Sequence, residues 1–190
     1  KSDKPKKKKS STPILYVDEI ELDGINFIYE LEDKSTNPHG MDYDHLNLKN
    51  IKLRATNFSN PDNHLIANIA SLKAKDRSGF ELLNFSGQAD VSGDSLHVSD
   101  MKIKTHKTDA NFPYFTLHTR SYTNFHNFVD SVDFRAEVKN SKVSMLDVAY
   151  FAPQLWGMDQ DVWLNAKVTR KVKNLNINDL HLEMGEETII

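Results

Sequence analysis

The 190-residue chain contains no cysteine, which excludes disulfides, thiolate metal sites and a cysteine nucleophile. It also lacks any apolar run approaching the roughly 20 residues that a membrane-crossing helix needs, so no segment is expected to span a bilayer as a helix. Glycine (7) and proline (6) are sparse, against a collagen-like or low-complexity chain. What is present is a balanced mixture, 38% hydrophobic and 27% charged residues with a mean hydropathy of -0.57. That supports one packed domain of ordinary size, provided the apolar residues are well patterned.

The net charge of -3 conceals an asymmetry, because residues 1–9 hold six Lys and one Asp, leaving 18 basic against 26 acidic residues in the rest. A duplex-binding domain needs a basic footprint for phosphate contacts, so nucleic acid is set aside as a partner. Residues 1–12 (KSDKPKKKKSST) are predicted to be a disordered, Lys-rich tail or linker. Residues 13–190 are expected to form a single domain.

From Pro13 onward the dominant period is two, the signature of strands with one buried face. Phe85, Gly87, Ala89 and Val91 alternate with polar residues, as do Phe134, Ala136 and Val138, and Val162, Leu164, Ala166 and Val168. Turn-forming clusters separate such runs at residues 34–40, 57–63, 76–79 and 92–95. Two short helices are predicted. One carries Phe125, Phe128, Val129 and Val132 on a single face. The other starts at a Ser144/Asp147 capping box and stops before Pro153. Both are too short to stand alone and are expected to plug an end or edge of the sheet.

One pattern recurs. Four segments read h-x-h-x-x-h-x-h, where h is apolar: Ile20, Leu22, Ile25 and Phe27; Leu46, Leu48, Ile51 and Leu53; Leu96, Val98, Met101 and Ile103; Leu175, Ile177, Leu180 and Leu182. In a flat strand the extra residue would turn the second apolar pair to the opposite side, so a bulge or corner must bring it back. The residue before the third apolar position is Gly24, Asn50, Asp100 or Asp179, types that tolerate left-handed backbone. The spacings between these bends are too irregular for a β-helix or propeller. They predict a mostly antiparallel all-β fold, a curved sheet whose trough is lined by the sixteen apolar residues. An ordinary sandwich core with bulges is the competing reading.

The search for chemistry finds no active site. Gly93-Asp94-Ser95-Leu96 spells the nucleophile motif of one esterase family, but a strand rather than a helix is predicted after the serine, and Asp179 and His181 are one residue too close for the base pair. A turn is the better account. The eight histidines show no metal-ligand spacing, and no phosphate-binding or calcium loop occurs. No metal, cofactor or catalytic residue is assigned, and the chain is expected not to be an enzyme. Trp156 and Trp163, with Tyr150, Phe151 and Leu155, form an aromatic concentration that would bind sugar rings if exposed; burial as a cap is the expectation.

Residues 66–105, containing SGFELLNFSG (residues 78–87) and SLHVSDMKIKT (residues 95–105), together with MLDVAYFAPQL (residues 145–155), residues 162–170 and NLNINDLHLEMGEET (residues 174–188), resemble the AsmA-like proteins, specifically the TamB-like chains of Bacteroidetes. The resemblance covers most of residues 14–190. It implies an internal fragment of a long periplasmic cell-envelope protein, anchored in the inner membrane by a helix outside this sequence. Its curved, half-open, taco-like β-groove with an apolar interior would conduct phospholipid acyl chains towards the outer membrane, with flanking segments of the same chain and an Omp85-family outer-membrane protein as partners. A second reading is a scaffold that assists outer-membrane protein assembly or secretion by β-augmentation. A third is a carbohydrate-binding β-sandwich. The Lys-rich tail has no counterpart in the family pattern.

Overall fold

The computed structural model describes residues 13–119, 132–171, 176–184 and 188–189. The described residues form one antiparallel sheet in strict sequence order. Its strands are β1 (Tyr16–Glu30), β2 (His45–Ser59), β3 (Leu65–Asp76), β4 (Glu81–Val91), β5 (Ser95–Lys104), β6 (Asp109–His118), β7 (Asp133–Ser144), β8 (Asp161–Lys171), β9 (Asn176–Met184) and β10 (Thr188–Ile189). A short helix α1 (Met145–Ala149) and a 3-10 turn (Pro153–Leu155) interrupt the meander between β7 and β8. The sheet is open. β1 and β10 are its two ends.

The predicted bends occur where the recurring pattern puts them. Gly24, Asn50, Asp100 and Asp179 have φ of 70°, 53°, 51° and 53°, each at or beside a register shift between neighbouring strands. One left-handed residue inside a strand inserts a bulge and sharpens the right-handed coil. Two bends are supported from the next strand: the Asn50 N–H donates to Asn26 Oδ1 at 3.1 Å, and the Asn140 N–H donates to Asn165 Oδ1 at 2.8 Å. Asn140, with φ of 46°, marks a fifth copy of the pattern, running Ala136, Val138, Ser141, Val143. It is hidden in the sequence because a serine takes the third apolar place. Ser141 is fully buried, and its hydroxyl accepts the Asn111 N–H at 2.8 Å. This fills a gap in the β6–β7 ladder beside Pro113, which has no N–H to give.

The coil is tight enough to bring distant loops together. β2 and β7 lie five strand spacings apart, about 24 Å in a flat sheet. Yet the Met41 N–H, ahead of β2, donates to the Tyr150 carbonyl, beyond β7, at 2.7 Å. His39 stacks on Trp156 with ring centroids 4.9 Å apart. The insertion between β7 and β8 therefore bridges one end of the curl like a chord, the plugging role expected of the second helix. Its local chemistry differs from expectation. Ser144 occupies the N-cap position but makes no side-chain cap bond, and Asp147 turns away to accept the Thr105 and Thr108 hydroxyls, each at 2.6 Å. These bonds pin α1 to the β5–β6 turn. Pro153 opens the 3-10 turn instead of ending the helix, which is already over at Ala149. The first predicted helix lies outside the described residues except for Val132, which is buried and not helical.

Candidate functional site: the apolar inner face

Residues directly opposite in an antiparallel ladder share a face, so the pairings trace the apolar lining from strand to strand. Leu22 faces Leu53, Leu53 faces Leu72, Leu72 faces Phe85 and Phe85 faces Ile103. The line goes on from Ile103 to Ala110. A parallel line runs Val98, Phe115, Ala136, Val168. Ile25 faces Ile51, Phe27 faces Leu48, Leu96 faces Leu117, Met101 faces Phe112, and Leu164 faces Leu182. Leu46 lies opposite Tyr29 and Ile20 opposite Ala55 on the same side. Leu180 falls at the bend of β9. Ile177 is placed only by its backbone pairing with Val168, and Leu175 lies outside the described residues.

Exposure along this face is uneven. Val98 and Met101 in β5 are 2% and 3% exposed, and Ala136, Val138, Val162 and Ala166 are also buried. At the β1 end, Leu22, Ile25 and Phe27 are 39%, 45% and 47% exposed, while the equivalent β2 positions are half-buried. The middle of the curl is a core and its β1 flank is an open apolar surface. Gly87 permits the tight middle. Its φ is 153°, and a Cβ there would sit 2.8 Å from Val98 Cγ1.

Sequence reasoning missed the contributions of β3 and β6. Leu72 is masked by a register shift on each side, and β6 reads as the unbroken run Phe112-Pro113-Tyr114-Phe115, in which alternation is invisible.

The aromatic concentration behaves differently from expectation. Burial was predicted, but Trp156 and Trp163 are both about half exposed. Trp163 points to the outer, polar side of β8, where Lys142 Nζ sits 5.5 Å from its ring centroid. Trp156 belongs to the plug with His39, Tyr150 and, through Tyr150, Phe80. The two indoles share no ring contact among the described residues.

Beneath the plug, Asp42 is buried and accepts bonds from the Asn37 N–H at 2.9 Å, His45 Nδ1 at 3.0 Å and Arg77 Nη2 at 2.8 Å. Burial alone would raise this carboxyl, but the Asn37 N–H and His45 outweigh it and hold Asp42 below its ordinary value. His45 Nε2 lies 3.1 Å from the Leu31 carbonyl, so both ring nitrogens face acceptors and only the imidazolium donates to both. The group fastens the β1–β2 loop to the β3–β4 turn.

The Gly93-Asp94-Ser95 stretch is a tight turn, with the Ser92 N–H donating to the Ser95 carbonyl at 2.8 Å and the Ser92 hydroxyl donating to Asp94 at 2.8 Å. Ser95 begins β5, as the turn reading requires. His64 pairs with Asp90 at 2.6 Å and His97 with Thr116 at 2.9 Å.

Compared with known proteins, the chain matches no family model, no curated protein and no solved structure.

Proposed function

We propose that this chain is a non-enzymatic segment of a TamB/AsmA-like envelope protein whose inner face carries phospholipid acyl chains between inner and outer membrane. One observation carries the reading: the apolar face runs in register across the curl and stays uncovered at its β1 flank, where Ile25 and Phe27 meet solvent. An acyl chain leaving water gains about 0.8 kcal/mol per buried CH₂, so such a flank holds a tail without specific contacts while the headgroup stays in solvent. A monomeric protein rarely keeps a contiguous apolar surface of this kind without an occupant. The sequence resemblance supplies the envelope setting.

Native mass spectrometry of the purified chain tests the reading. Phospholipid adducts are expected, and Phe27→Glu and Ile25→Glu should abolish them while leaving the melting temperature within a few degrees. Absence of adducts, or adducts that survive both substitutions, sinks it.

The scaffold reading keeps a specific support as well. β1 is 15 residues long and among the described residues pairs only with β2, leaving one row of backbone donors and acceptors for an added strand. The carbohydrate-binding sandwich rested on the two indoles, and their separation leaves that version without a platform.

A further inference from the structure

The opposite, polar face of the sheet carries its own pattern, independent of the apolar lining. Lys52 faces Lys73 and Lys49 faces Lys75 directly across the β2–β3 ladder. Like charges in that relation repel and cost stability. Two strands further on, β5 presents Lys102 and Lys104 to the same side, opposite Ser86 and Asn84 of β4. Side chains confirm that these strands share one surface, since Arg54 faces Ser71 and the Ser71 hydroxyl donates to Asn84 Oδ1 at 2.7 Å.

The charge is organised as an island. Most of the nearest acids sit on its rim: Asp23 and Glu21 on β1 hold Lys52 at 2.8 Å and Arg54 at 2.9 Å, Asp109 on β6 holds Lys104 at 3.0 Å, and Glu81, at the start of β4, holds Lys75 at 3.4 Å. Lys49, Lys73 and Lys102 have no carboxylate partner among the described residues, though the chain beyond its first nine residues is acidic overall. A depression of about 330 Å³ opens where the island meets its acidic rim, lined by Lys52, Arg54, Ser71 and Lys73 together with Glu21, Asp23, Leu22 and Leu53. The island is thus two lysine rows with the hydroxyl and amide side chains of Ser71, Asn84 and Ser86 between them and Glu81 at one end of that strip. The rows are two strand spacings apart, about 10 Å, comparable to the length of a disaccharide.

We propose that this face binds an acidic polysaccharide, with carboxylate or phosphate groups meeting the lysine rows and sugar hydroxyls meeting Ser71, Asn84 and Ser86. Charge complementarity selects a polyanion. The neutral strip, able both to donate and to accept, selects a hydroxyl-rich chain over a sheet of lipid headgroups. The outward curvature of the face also suits a flexible polymer that can follow it better than a flat membrane. The opposed lysines are then a stability cost kept for binding.

Calorimetric titration of the whole chain with polygalacturonate, with dextran as uncharged control, tests this, and vesicles of equimolar phosphatidylglycerol and phosphatidylcholine form a third arm. The expected result is binding to polygalacturonate alone, weakened by salt. Lys73→Glu/Lys102→Glu should weaken it about tenfold or more. Because Lys73→Glu sets a carboxylate opposite Lys52, the thermal midpoint of that variant should hold or rise, separating lost binding from lost folding. Residues 1–9 keep all six lysines in both proteins. Equal binding by the variant would therefore assign the affinity to the tail and overturn the proposal. So would no binding, equal binding to dextran, or binding to the vesicles without the polymer.

Discussion

β1 and β5 carry the same eight-residue pattern with the same left-handed corner, at Gly24 and at Asp100, yet they live in different surroundings. In β5 the second and third apolar residues, Val98 and Met101, are sealed; in β1 the same places, Leu22 and Ile25, are more than a third exposed. The corner shapes each strand, but neighbours decide what the shape encloses. β5 lies between β4, whose Gly87 allows close approach, and β6, whose Phe112 and Phe115 stand opposite Met101 and Val98. Among the described residues β1 has a strand on one side only. One local device therefore builds a core in the middle of the sheet and an open apolar flank at its end.

The contrast can be broken most directly by placing a charge at matched positions. Val98→Asp buries a carboxylate in a close-packed site and should cost about 3–5 kcal/mol in urea unfolding. Leu22→Asp, at the same place in the pattern on β1, should cost about 1 kcal/mol or less. Equal losses would mean that β1 is as enclosed as β5, and the distinction between core and flank would disappear.

A smaller effect separates the corners from what surrounds them. Asp100→Val forces a β-branched residue into left-handed backbone and should cost about 1–2 kcal/mol, whereas Asp100→Gly at the same position should be near neutral. If valine were tolerated as well as glycine, the corner would not be what bends β5.

The smallest effect concerns the clasp between the β1–β2 loop and the β3–β4 turn. Asp42 titrates below its ordinary value of 3.8, so the unfolded chain takes up its proton before the folded one does. Its contribution to stability is whole above about pH 4 and fades as pH falls through the folded value. Protection factors for amide exchange in residues 31–44, taken against the intrinsic rate at each pH, should fall over that acid range, and Asp42→Asn should remove that fall. Protection factors indifferent to pH in the native protein would show that the carboxylate does not fasten the loop.

Much of this architecture was readable from residue order. Alternation in β4, β7 and β8, and the corners at Gly24, Asn50, Asp100 and Asp179, follow from side-chain direction and backbone sterics, both local properties. The corner at Asn140 escaped because Ser141 is buried by a hydrogen bond with Asn111 instead of by hydrophobicity. The Ser144/Asp147 pair looked like a capping box, but a carboxylate prefers two hydroxyl donors when a neighbouring turn presents them, and no spacing rule reveals Thr105 and Thr108 as that neighbour. The half-exposed tryptophans were misjudged for a related reason: composition gives the number of aromatic rings but not the side of the strand or the loop on which each one ends.

By itself, then, the order of residues determined where this chain extends, where it bends, and that one side of the resulting ribbon repels water. Only the assembled sheet decided which of those apolar side chains are sealed, that loops around Gly40 and Tyr150 would touch, and that lysines of β2 and β3 would confront one another. Steric preference and alternation act within a few residues, while enclosure and charge opposition depend on partners brought close by the accumulated coil of many strands.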